Sequence, residues 1–171
     1  VLLKELELVK QNEENIRMPF TEMDAGQLIG YIMTHHHFYI KQSLPLIISH
    51  LEKVASKHGS SYPYMQKVLE LFRMVQEEMI MHMQKEEMIL FPRIKEIENL
   101  YNNKQQANIS DGYITGPVNV MEAEHEHAGK ILDEIRQLTN NYTPPEDACT
   151  TFKISLAELK EFEEDLHKHV H

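Results

Sequence analysis

A histidine and a glutamate four residues apart on a helix project from one face about one turn apart, and His82-Met83-Gln84-Lys85-Glu86 has that spacing. Both side chains can then reach a single inward-facing metal site, the imidazole as a terminal donor and the carboxylate as a possible bridge. Alone, the pair is equally compatible with a solvated helix surface, so its meaning depends on donors brought to the same height by other helices. Three further histidines, His37, His125 and His169, fall on the apolar stripes of their own segments. Core packing accounts poorly for four such residues, because a buried neutral imidazole needs two hydrogen-bond partners and returns little hydrophobic gain. As a set, His37, His82, Glu86, His125 and His169 read as metal ligands suited to iron, manganese or zinc, with Glu86 placed to bridge two ions.

The segments that must position these residues have the period of helices. From Met23 to about His58, apolar positions recur every three or four residues through Ile29, Met33, His36 or His37, Ile40, Leu44, Ile47, Leu51 and Val54. Pro45 is expected to kink that helix or to mark a local break in it. After the turn Gly59-Ser60-Ser61-Tyr62-Pro63, a second helix runs from about Tyr64 to Leu100, with Val68, Phe72, Val75, Met79, His82, Glu86, Ile89 and Ile94 on one stripe and Pro92 as a second internal proline. Tyr101 to Gly116 is a polar crossover, and Pro117 suits the first position of a third helix whose inner face is Met121, His125, Ala128, Leu132, Ile135 and Leu138. Thr143-Pro144-Pro145-Glu146 has capping-box spacing, which starts a fourth helix there and turns Phe152, Leu156, Leu159, Phe162, Leu166 and His169 inward. No segment alternates with the period of a strand. The expected architecture is all-α, an up-and-down four-helix bundle over residues 22–171, with 1–21 a Leu-rich arm or linker remnant.

Counting along these helices tests the convergence. His37 before the first turn and His82 after it reach nearly the same height. His125 and His169 do not, differing by about ten residues or roughly 15 Å if both helices are straight. Either the segment around 144–153 crosses the end of the bundle, or His169 is not level with His125. Of the other histidines, His35 and His50 are expected at the surface and His36 is ambiguous; His127, His167 and His171 point away from the preferred positions. His58 is a candidate helix cap or a distant contributor to the site. Glu124, beside His125, is placed to hold the second nitrogen of a ligating imidazole. The methionines mix with leucine and isoleucine at helical spacing, which makes them core filler.

Composition removes several alternatives. With 17 basic against 27 acidic residues, a net charge of -10 repels phosphate backbones, so nucleic acid is not an expected partner. No apolar run approaches the roughly 20 residues of a membrane span. A single cysteine, Cys149, supplies neither an internal disulfide nor a thiolate cage, which points to a reducing, cytoplasmic setting. The chain opens on Val1 and stops within Leu166-His167-Lys168-His169-Val170-His171, so it reads as a fragment.

Several separated motifs resemble one family. They are Thr34-His35-His36-His37-Phe38-Tyr39 with Leu44-Pro45; His82-x3-Glu86-Glu87 with Ile89-Leu90-Phe91-Pro92; Gly116-Pro117 to Met121-Glu122-Ala123-Glu124-His125-Glu126-His127-Ala128-Gly129; and Asn140-Asn141-Tyr142-Thr143-Pro144-Pro145 with Ala148-Cys149-Thr150-Thr151. Over about residues 22–171 they look like the hemerythrin-like domain of the repair-of-iron-centres (ScdA/YtfE-type) di-iron proteins. The resemblance implies a pair of non-haem irons, oxo- or hydroxo-bridged, and a role in restoring iron-sulfur clusters damaged by nitric oxide or peroxide, with iron-sulfur proteins as clients. The family's ligands fall on His37, His82, Glu86, His125 and His169. A second bridging carboxylate four residues after the last histidine would lie beyond His171, and the family's N-terminal cysteine pair has no counterpart here.

One departure from oxygen-carrying hemerythrins concerns Gly129, where those proteins place another histidine. Either fewer protein ligands leave more open coordination positions, or the glycine permits close helix packing. The rival functional reading is a sensor or carrier that holds oxygen or nitric oxide at the same centre, or an enzyme that turns nitric oxide over. A helical interaction domain whose histidines bind nothing is the third.

Overall fold

The computed structural model describes residues 22–105 and 110–170; the arm expected over 1–21 and His171 lie outside the described residues. Among these, every regular element is helical. The first long helix is composite: α1 (Ala25–Tyr31), a π-helical turn (Ile32–His37) and α2 (Phe38–His58). The second repeats the plan with α3 (Tyr64–Lys85), a π-helical turn (Glu86–Leu90) and α4 (Phe91–Asn102). α5 (Thr115–Leu138) and α6 (Thr150–Val170) complete the bundle. α2 packs on α3 and α6, α3 on α5, and a thinner seam between α5 and α6 closes the ring. This is the expected all-α four-helix bundle.

The two wide turns are where the sequence pattern misleads. Buried positions on α3 follow the expected stripe through Val68, Phe72, Val75, Met79, His82 and Glu86, but then pass to Leu90 and Phe91. Ile89, expected inside, is 42% exposed. A π turn closes i→i+5 hydrogen bonds and holds an extra residue, so the inward phase advances by one. Met33, also expected inside, is likewise turned out by the first π turn, at 39% exposure. Each wide turn has a local chemical companion. Thr34 Oγ1 donates to the Gly30 carbonyl at 2.8 Å within the first, and Pro92, which lacks an N–H for the Met88 carbonyl, follows the second. Pro45, by contrast, sits on the exposed face within a continuous α2 rather than at a break.

The fourth helix starts later than its capping-box signal suggests. Asn140, Asn141 and Tyr142 take left-handed backbone angles, and residues 143–149 cross the bundle end before α6 begins at Thr150. The crossing is anchored: Tyr142 and Ala148 are buried, and the Tyr142 hydroxyl donates to Glu163 Oε2 at 2.9 Å. His169 is thereby as far from the start of α6 as His82 is from the start of α3, to within one residue. The apparent height mismatch with His125 is resolved by the crossing segment.

The core divides in two. A large cluster fills the bundle from Ile40, Leu51, Met65 and Phe72 to Leu132, Phe152 and Phe162. A smaller one, Ile29, Leu90, Phe91 and Met121, closes the other end. The histidine rung lies between them. The closed end is tied by Glu98, whose carboxylate accepts the Ala25 N–H at 2.8 Å and so fixes α4 to the first turn of α1 beside the Asp24–Gln27 capping box.

Candidate metal centre

Each long helix contributes one imidazole at the same height. Glu86, only 5% exposed, is their common neighbour: its Oε2 lies 3.0 Å from His37 Nε2, 3.4 Å from His82 Nε2 and 3.8 Å from His169 Nε2. His125 joins from α5, its Nε2 2.8 Å from His82 Nε2. The His37 and His169 rings lie with centroids 5.7 Å apart and planes tilted by 49°. All five residues singled out in the sequence are therefore brought together.

The electrostatics favour an anion surrounded by imidazoles. Burial would raise the Glu86 carboxyl, but hydrogen bonds and charge from His37, His82 and His169 hold it down at about 2. Burial also acts against the charged imidazole of His82, yet Glu86 and Glu124 outweigh it and raise its affinity for a proton. His125 and His169 go the other way: burial, reinforced by neighbouring imidazoles, lowers both to about 4.

This donor set fits a cation. Donor atoms of His82, Glu86, His125 and His169 all lie within 4.8 Å of one another. The Nε2 atoms of His82 and His125 point at each other at 2.8 Å, an arrangement in which a proton or a cation is shared between the two rings. The His169 side chain is 2% exposed, and its Nδ1 is buried without a hydrogen-bond partner among the described residues. Imidazole and carboxylate without thiolate suit non-haem iron. Cys149 belongs to the opposite end of the bundle, where its sulfur is 3.2 Å from His58 Nε2, so His58 makes no approach to the rung.

The surroundings of the rung were only partly foreseen. Glu124 holds His82 Nδ1 at 3.0 Å, as its position beside His125 suggested. Glu87, which the sequence reading passed over, accepts from His37 Nδ1 at 2.8 Å. His36 is buried as well, its Nδ1 at 3.2 Å from both Asp165 oxygens and its ring edge-on to His169. His35, His127 and His167 are exposed as expected, whereas His50 is half-buried against Glu158 at 2.7 Å. A Cβ built on Gly129 would meet nothing within 4 Å, so close helix packing does not require a glycine there.

A bundle with one imidazole from each helix gathered around a shared buried carboxylate is a hemerythrin-type metal-binding bundle. The chain belongs to the hemerythrin HHE cation binding domain family, which matches residues 28–171. It is also similar to proteins named iron-sulfur cluster repair protein YtfE from Enterobacter sp. (strain 638), Escherichia coli O1:K1 and Escherichia fergusonii. Each is 34% identical over 166 residues, covering 97% of this chain and 70% of the relative.

Proposed function

We propose that this chain is a non-haem di-iron protein that repairs, or supplies iron to, iron-sulfur clusters damaged by nitrosative or oxidative stress. The observation that carries the reading is the meeting of His37, His82, His125 and His169, one from each long helix, around the buried carboxylate of Glu86. Its class of client comes from the repair proteins to which the chain is similar over nearly its whole length.

In this reading the four imidazoles are terminal ligands and Glu86 bridges. Bound iron would supply redox-active cations that could be handed to an acceptor. The protein's own part is to hold the imidazoles apart and level, to keep Glu86 ionised, and to seal the rung between two apolar clusters. Residues 22–171 are the working unit. No described helix is long and apolar enough to cross a membrane, and a single cysteine fits a cytoplasmic setting.

A second reading draws on Gly129. α5 supplies only one imidazole to the rung, and the position one turn on carries no side chain and has open space around it. Coordination positions left open in this way would take a small ligand such as nitric oxide or oxygen, making the same centre a sensor, a carrier or a nitric oxide reductase.

Iron analysis and the ultraviolet-visible spectrum of freshly purified protein test the centre; two irons per chain with oxo-bridged diferric absorption are expected. Mixing loaded protein with an apo iron-sulfur protein then separates the readings. Cluster recovery with matching loss of iron supports repair, and iron that never leaves refutes the donor reading.

A further inference from the structure

Two of the four imidazoles are held from behind by the same arrangement of side chains. His37 Nδ1–H donates to Glu87 Oε1 at 2.8 Å, and the ammonium of Lys41, one turn beyond His37 on the same long helix, donates to that same oxygen at 2.8 Å. His82 Nδ1–H donates to Glu124 Oε2 at 3.0 Å, and Lys85, on the helix of His82, pairs with the other oxygen of Glu124. In both cases the carboxylate comes from the neighbouring helix and the lysine from the histidine's own. Each group therefore ties two helices together across a ligand position.

The charge balance matches the geometry. Each carboxylate accepts from an imidazole N–H and a lysine ammonium together, so both of its partners favour the charged form. An ionised carboxylate behind an imidazole fixes the ring's orientation, keeps the proton on Nδ1 and leaves Nε2 as the donor, which raises its basicity. Among the described residues nothing comparable supports the other two imidazoles: His169 Nδ1 is buried without a partner there, and His125 is bonded only through Nε2 to His82.

We propose that Lys41 and Glu87 form a positioning brace that aims His37 Nε2 into the rung, the counterpart of Lys85 and Glu124 behind His82. The inference rests on the reading of the rung as a metal centre. Glu87 bonds the imidazole and Lys41 bonds Glu87, so Lys41 acts on the centre through two intervening groups. Its side chain is half-exposed. An exposed ion pair contributes little to folding, which allows a positioning role to be separated from a structural one.

The test uses the full chain as wild type, Glu87→Ala, Lys41→Met and Lys41→Arg. Ferrous iron affinity is measured anaerobically by competition with a chelator, Co2+ absorption reports the geometry of the site, and thermal melting of the metal-free proteins reports the fold. Glu87→Ala is expected to weaken binding by about 10- to 100-fold and to shift the Co2+ ligand-field bands. Lys41→Met is expected to weaken binding by less, with unchanged metal-free melting, and Lys41→Arg to restore wild-type affinity. Binding by Glu87→Ala within about twofold of wild type, with the same Co2+ spectrum, overturns the brace. So does an arginine variant as weak as the methionine variant. Should Glu87→Ala fail to fold, the Lys41 pair carries the test alone. A wild-type chain that takes up neither metal overturns the metal reading itself, which is a distinct result.

Discussion

Replacing Glu86 by alanine removes a buried carboxylate that faces three of the four imidazoles. Its Oε2 lies 3.0, 3.4 and 3.8 Å from the Nε2 atoms of His37, His82 and His169. Breaking such a buried arrangement by deleting one partner costs ~3–5 kcal/mol, because the groups left behind stay desolvated without a counter-charge. In a domain of this size each kcal/mol moves the melting temperature by ~2–4 °C, so metal-free Glu86→Ala should melt about 6–20 °C below wild type. Glu86→Gln keeps the volume and one acceptor oxygen, so it should lose less stability while still lacking the charge that a bridge between two cations requires. Both variants are expected to fall from two irons per chain to one or none. The assays are calorimetry of the chelator-treated proteins and iron analysis after reconstitution. Two irons in Glu86→Ala with unaltered diferric absorption would refute the bridging assignment. A metal-free melting temperature within about 2 °C of wild type would refute the electrostatic argument.

Acid should destabilise the metal-free protein before it reaches the ordinary carboxylate range. His125 and His169 are held at about 4 by burial, against about 6.5 in the unfolded chain, so the unfolded state binds more protons between those values. The stability they contribute is present above about pH 6.5 and is lost as pH falls towards 4, partly offset by His82, whose shift is upward. The loaded protein should release iron over the same interval, since protons compete for the imidazoles; urea midpoints that stay flat or rise towards about pH 4 would contradict this. Far from the rung, Phe72 is fully buried with its ring 5.2 Å from that of Phe162. Phe72→Ala is expected to cost ~3–5 kcal/mol in urea unfolding while leaving iron per folded chain unchanged; a selective loss of iron would mean that the two regions are coupled.

The bundle and its rung were legible because both depend on helical periodicity. His82 and Glu86 sit one turn apart, and the stripes through Ile40, Leu44 and Leu51 or Leu132 and Ile135 carry their histidines inward by the same count. What stayed hidden depends on departures from that period. Ile89 and Leu90 exchange roles because a π turn adds a residue, and Thr143 loses its helix start to a chain that must cross the bundle end. Glu87 was missed for a related reason: on a regular helix it points about 100° away from Glu86. A usable signal existed in the lysines, since Lys41 and Lys85 each follow a candidate histidine by about a turn on helices whose neighbours offer carboxylates.

The second π turn also explains why two consecutive glutamates can serve one imidazole. Glu86 faces His37 Nε2 and Glu87 faces its Nδ1, so both nitrogens of a single ring are met by adjacent residues of one helix. A wider turn holds more residues per revolution and brings neighbouring side chains closer in direction, which makes this two-sided clasp geometrically reachable. The first π turn ends on His37 itself, so helical regularity is given up on both partners of the clasp. Restoring regular helix at Glu86–Leu90 would rotate either Glu86 out of the rung or Leu90 out of the small core behind it. The widened turn is thus what lets one helix meet the demands of the metal rung and of the apolar seal within five residues.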